Sequence, residues 1–323
     1  MRLLQVGAAI GALAISGQLL AQRLIPHEVV SEPAPIDSTT QTDDVAFKVD
    51  MHERLTVPVL ISGWGPYRFL VDTGADRTAI SRELANRLQL VGRLSARVHS
   101  VTGADMVATA RVPLLELSKN RVELIDAPML ERRHMGADGI LGVDSLRSQR
   151  VMFDFKANSL SIVPSAKNSL PIERGAIVVT AKARKGHLIL TQAKANNRRI
   201  NVVIDTGAEI SIGNEALRKL LGIQIKTGAA TVPLLSVMGD TLPGYYGLIN
   251  ELDIGGATLR DLSLVFADAH TFRKLELEDK PTLLLGMNAI KAFDKVSIDF
   301  AHKKLRVVLP QGSAVEVVTR VAP

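Results

Sequence analysis

Apolar and polar positions alternate in short runs along most of this chain, and only brief stretches keep a helical period. "RLTVPVLISG" from residue 54 and "GPYRFLVD" from residue 65 read as a strand, a Gly/Pro turn and a second strand. "HLILTQAKANNRRINVVID", residues 187–205, repeats the plan with a polar turn. Helical spacing follows Ser81, where Leu84, Ala85 and Leu88 share a face, and again follows Asn214, where Leu217, Leu220 and Leu221 do. Ser and Asn are N-cap residues, so a short helix is expected after each. "FDFKANSLSIV" and "IDFAHKKLRVV" look like hairpins closing each half.

The halves are two versions of one unit. Asp72 and Asp205 lie 133 positions apart, and Gly103 and Gly239, in the loops "SVTGAD" and "SVMGDT", lie 136 apart. Gly142 of "GILGVDSL" matches Gly286 of "LLLGMNAI" at 144, and Asp154 matches Asp299 at 145. The jump from 136 to 144 places eight extra residues in the second half, between its glycine loop and Gly286. The expected organisation is a first lobe over 45–163, a linker over 164–176, a second lobe over 177–310 and a tail over 311–323.

Composition narrows the function classes. With 323 residues and 46% hydrophobic content the chain can build two cores, and with only 4% aromatics those cores must rest on Val, Ile, Leu and Ala. There is no cysteine, which excludes a disulfide framework, a thiolate metal site, a cysteine nucleophile and a lipidated cysteine. The net charge is +6, but the basic residues sit in short clusters, "KARK" at 182–185, "NNRR" at 196–199 and "AHKK" at 301–304. Those are expected to be solvated turns rather than a nucleic-acid face. The seven histidines show no metal-ligand spacing, and no Gly-x-Ser-x-Gly elbow is present. No metal and no cofactor is expected.

Arg2 precedes an uncharged stretch from Leu3 to Ala21, which reads as an export signal or, if uncleaved, a membrane anchor. Residues 22–44, rich in Pro, Ser, Thr and acids, read as a flexible tether. The expected location is therefore periplasmic or otherwise extracytoplasmic, with a membrane tether through residues 3–21 as one form.

The candidate chemistry lies in "FLVDTGAD" and "VVIDTGAE". Each apolar run delivers an aspartate to the edge of a core, where burial raises a carboxyl pKa. Gly74 and Gly207 let backbone N–H groups approach the carboxylate, and the Thr73 and Thr206 hydroxyls can bond within the turn or across to the other copy. Two such aspartates brought together by a pseudo-twofold axis can share one proton. The ionised member then draws a proton from a water while the other polarises a carbonyl, which hydrolyses an amide without a covalent intermediate.

These motifs, the glycine loop downstream of each, and the "ILG" and "LLG" segments resemble aspartic proteases, specifically the retropepsin-like branch, over roughly residues 45–310. The resemblance implies an all-β, bilobal aspartic-protease fold with two homologous lobes, each with a short helix, related by a pseudo-twofold axis. It implies a dyad of Asp72 and Asp205 braced by Thr73 and Thr206. It further implies flaps over an extended peptide substrate, formed by Val101, Thr102 and Gly103 in one loop and Met238 and Gly239 in the other. With both lobes in one chain the expected state is a monomer. The retroviral pattern has an arginine after the "ILG" glycine; Val143 and Met287 stand there, so Asp76 and Glu209 need other partners. Ala75 and Ala208 replace a hydroxyl common in pepsin-like enzymes, and the expected activity lies at weakly acidic to near-neutral pH. The reading from another class is a non-catalytic peptide-binding module using the same cleft.

Overall fold

The computed structural model describes residues 45–46, 48–49, 54–92, 94–117, 120–165, 176–310 and 315–316. The expected leader, the tether, most of the interlobe linker and most of the tail lie outside the described residues. No helix among those described is long and apolar enough to cross a membrane.

Each half forms a sheet-rich lobe, and the strand order is the same in both. In the first lobe it runs Lys48–Val49, Leu55–Ile61, Trp64–Val71, Gly139–Leu141, Ala79–Ser81, Asn120–Leu130, Ala104–Leu117 and Ser95–His99. In the second it runs Lys182–Arg184, His187–Ala195, Arg198–Ile204, Thr282–Leu285, Ser211–Gly213, Ala257–Phe266, Thr241–Ile254 and Val232–Leu235, with Val315–Glu316 beside Ala257–Phe266. Leu55–Ile61 also pairs with Ala104–Leu117, and His187–Ala195 with Thr241–Ile254, so each sheet bends back on itself.

The closing hairpins do more than end their lobes. Gln149–Asp154 and Lys295–Asp299 pair with each other, Val151 facing Ile298, and join the two halves in one six-stranded sheet. Val45–Ala46 and Ala176–Thr180 form its edges. One continuous core therefore runs through both lobes and this sheet, from Leu55, Val57 and Phe69 through Val151 and Phe153 to Val296, Ile298 and Leu305.

Both expected caps are formed. Ser81 Oγ accepts from the Leu84 N–H at 3.1 Å and starts Arg82–Arg87; Asn214 Oδ1 accepts from the Leu217 N–H at 2.9 Å and starts Glu215–Leu220. Asparagine has a second task here, because its Nδ2 donates to the Leu277 and Lys280 carbonyls at 2.9 and 2.7 Å, holding the segment inserted in the second half. Each lobe has more than the one short helix expected. Arg132–Met135 and Val143–Leu146 in the first lobe correspond to His270–Lys274 and Met287–Ile290 in the second. These are single turns, too short to impose a helical period on the sequence. The basic clusters border hairpin turns, at Lys185–Gly186, Asn196–Asn197 and Ala301–Lys303.

Candidate active site

Each motif aspartate leaves its strand at the point where a parallel neighbour ends. Phe69, Leu70 and Val71 pair with Gly139, Ile140 and Leu141, and the Asp72 N–H then donates to the Leu141 carbonyl at 3.0 Å. Ile204 pairs with Leu285, and the Asp205 N–H donates to the Leu285 carbonyl at 3.0 Å. The "ILG" and "LLG" segments thus buttress the two aspartate strands from below. Their glycines make room for the motif loops: a Cβ on Gly142 would lie 2.4 Å from the Arg77 carbonyl carbon, and one on Gly286 would lie 2.7 Å from that of Ile210.

The two aspartates face each other across the pseudo-twofold axis. A Cβ on Gly74 would lie 2.4 Å from Asp205 Oδ1, and one on Gly207 would lie 2.3 Å from Asp72 Oδ2. The glycine of each motif is therefore the bed on which the opposite carboxylate rests, a requirement for space in addition to the N–H approach expected. That approach is also present. Gly74 and Ala75 donate to Asp72 Oδ1 at 2.8 and 2.9 Å, and Gly207 donates to Asp205 Oδ1 at 3.1 Å.

The threonine hydroxyls bond across the axis. Thr73 Oγ1 accepts from the Thr206 N–H at 3.1 Å and donates to the Ile204 carbonyl at 2.9 Å. Thr206 Oγ1 accepts from the Thr73 N–H at 3.0 Å and donates to the Val71 carbonyl at 2.6 Å. Both threonines are fully buried. This reciprocal set fixes how far apart the carboxylates sit.

Burial raises the Asp72 carboxyl above its ordinary value, against the pull of the two N–H donors. Burial and then the charge of Asp72 push Asp205 up to about 7. With its shorter N–H contacts Asp72 is the better host for negative charge, and Asp205 the better host for the shared proton.

Asp76, the acid after the first motif, is braced differently from the retroviral pattern. Asp76 Oδ1 accepts from His187 Nε2 at 2.8 Å, and Lys274 Nζ pairs with its other oxygen; both partners belong to the second lobe. Burial works to raise the Asp76 carboxyl, but His187 and Lys274 outweigh it and hold it down at about 2. His187 Nδ1 lies 3.2 Å from the Thr73 carbonyl, so both ring nitrogens face acceptors and the fully buried imidazole is seated directly behind the dyad. Sequence reading passed over His187. Its repeat position, matching Arg54 at the same 133-residue spacing, was the available signal. Val143 and Met287 brace the motif loops through their backbone, donating to the Ala75 and Ala208 carbonyls at 2.9 and 2.8 Å.

Above the carboxylates lies a cavity of about 470 Å³, roofed by two hairpins, within the range of ligand-binding clefts. Ser95–His99 and Ala104–Leu117 make the first hairpin; Val232–Leu235 and Thr241–Ile254 make the second. Each tip packs on the opposite lobe. Val101 lies against the second-lobe cluster containing Ile212, Phe272 and Leu284, and its carbonyl accepts from the His270 N–H at 2.8 Å. Val237 and Met238 lie against the first-lobe cluster of Leu70, Met135 and Ile140. His99 on the first hairpin stacks on His270 at 5.3 Å. Of the expected flap residues, Val101 lines the cavity, whereas Thr102, Gly103, Met238 and Gly239 form the turns and stand outside its lining, where Val237 takes the place expected for Met238. Tyr246 lines the cavity from the strand following the second turn.

Residues 57–145 and 191–289 match the model of a family described as aspartyl protease, together more than half of the chain. The chain belongs to the aspartyl protease family. Its members are hydrolases, and one matched segment falls within each lobe. No curated protein matches the chain. Among solved structures, a retropepsin-like aspartic protease from Rickettsia conorii is similar at 24% identity over 41% of this chain and 89% of that one, with a TM-score of 0.32.

Proposed function

We propose that the chain is an aspartic endopeptidase that hydrolyses peptide bonds with a water activated between Asp72 and Asp205. The observation that carries this reading is the mutual seating of the two carboxylates on each other's glycines at the floor of a two-flap cleft. Asp72, ionised, takes a proton from the water; Asp205, protonated, hydrogen-bonds the scissile carbonyl oxygen; the hydroxide adds to the carbonyl carbon. Collapse of the tetrahedral intermediate expels the amine, which leaves with a proton returned from the dyad. An extended peptide fits beneath the hairpins as an added strand, main chain to main chain, and must enter by displacement of the flap tips. One chain supplies both aspartates, which supports a monomer as the working unit.

The uncharged run from Leu3 to Ala21 supports export, and with it envelope proteins as the substrate class. The test incubates the purified protein, wild type beside Asp72→Asn and Asp205→Asn, with extracted envelope proteins and reads new termini by mass spectrometry. New internal termini with wild type alone are expected. Equal termini with either variant would refute the dyad, and a cellular effect that survives both substitutions would leave a peptide-binding module instead.

A further inference from the structure

The cavity is lined by twin positions of the two halves, and most twins keep their chemical type: Ala75 with Ala208, Ser100 with Ser236, Val101 with Val237. Three pairs break the symmetry in one direction. Arg77, Arg97 and His99 stand where the second half has Ile210, Pro233 and Leu235. Every arginine or histidine in the lining, among the described residues, comes from the first half. The acids do not offset this, because Asp76 and Glu209 are themselves twins, one on each side, and Asp76 is already held by His187 and Lys274.

Arg97 and His99 alternate on the strand Ser95–His99, so both project from the same face of the first flap. His99 is engaged with His270, Nδ1 to Nε2 at 3.0 Å. The Arg77 guanidinium donates to the Asp126 carbonyl at 3.2 Å. Arg97 is exposed, and its guanidinium makes no hydrogen bond or ion pair with another described residue. It is a cation with five donors available to a ligand in the cleft. Its twin, Pro233, offers neither charge nor donor.

A peptide threaded across a pseudo-twofold axis meets one member of each twin pair on one side of the scissile bond and the other member on the other side. We propose that the cleft is polarised: it selects a peptide with Asp or Glu on the half lying along Arg97 and His99, and with apolar side chains on the half lying along Pro233 and Leu235. This rests on the endopeptidase reading of the same site, but it concerns recognition, so it can be tested without turnover.

The experiment measures binding to Asp205→Asn protein by fluorescence polarisation. Four labelled twelve-residue peptides share an apolar centre and carry two Glu or two Lys on either the N-terminal or the C-terminal half. On one half, Glu is expected to bind about tenfold tighter than Lys, with a gap that narrows as salt rises; on the other, the two differ by less than about threefold. Adding Arg97→Glu should reverse the preference, and Arg97→Ala should abolish it. Equal Glu and Lys binding on both halves overturns the proposal, as does a preference unmoved by either Arg97 substitution or a failure of all four peptides to bind. Cleavage of the same peptides by wild-type protein separates the two readings. Polarised binding without cleavage removes the endopeptidase assignment and leaves the cleft polarity, whereas cleavage without polarity does the reverse.

Discussion

Replacing Thr73 by alanine removes one hydroxyl and strands two groups on the other lobe. The Thr206 N–H loses its acceptor and the Ile204 carbonyl loses its donor, at a place where Thr73 is 2% exposed and Thr206 is 0% exposed. A buried polar group left without a partner costs about 1–3 kcal/mol, so the two together cost about 2–6 kcal/mol, plus about 1 kcal/mol for the lost methyl. Relaxation of the two motif loops offsets part of this and places the expected loss at the low end, about 3 kcal/mol. Thr73→Ser keeps the hydroxyl and loses only the methyl, about 1 kcal/mol. Urea unfolding of the three proteins at pH 7 gives the comparison, and thermal melts should fall by about 2–4 °C per kcal/mol. If Thr73→Ala comes within about 0.5 kcal/mol of Thr73→Ser, the crossed hydroxyls are not what ties the lobes at the dyad.

Two further outcomes follow from the charges around the dyad. The form that works holds one proton, so kcat/KM should decline as pH rises through about 7, where Asp205 gives its proton up, and should decline on the acid side where Asp72 takes one. An optimum below about pH 3 would contradict that assignment. Asp76 is held at about 2, below its ordinary 3.8, so its pairing stabilises the fold fully above that ordinary value and fades as pH falls towards 2. Asp76→Asn should therefore be less stable than wild type at pH 7, with the gap closing between pH 4 and pH 2.5 in denaturant titrations; a gap independent of pH would count against the His187 and Lys274 pairing.

The repeat made much of this molecule readable. Both Asp-Thr-Gly-Ala loops, both supporting "ILG"-type segments and both capped helices recur at matching places, and each rests on local signals: an apolar run, a turn glycine, a capping side chain. The pairing of Val151 with Ile298 was not readable, because nothing in a hairpin's own pattern says which distant edge it will join. Nor were Arg132–Met135 and His270–Lys274, whose single turns are shorter than any helical period. The partners of Asp76 escaped for a related reason. His187 and Lys274 sit 111 and 198 positions away and meet it only when the lobes close. The glycines were expected for backbone approach, but their need for space against the opposite carboxylate depends on the second copy being in place.

The shared six-stranded sheet has a consequence in time. Its central contact joins residues about 145 positions apart, and its edge strand Ala176–Thr180 pairs with Lys304–Val308, close to the last residues described. Contacts of such long sequence separation form late and slowly. A chain in which these strands have not yet paired therefore holds Asp72 without the partner that shares its proton. The dyad is thus complete only once both halves have folded and the sheet between them has closed, so assembly of the site is tied to the slowest contacts of the fold.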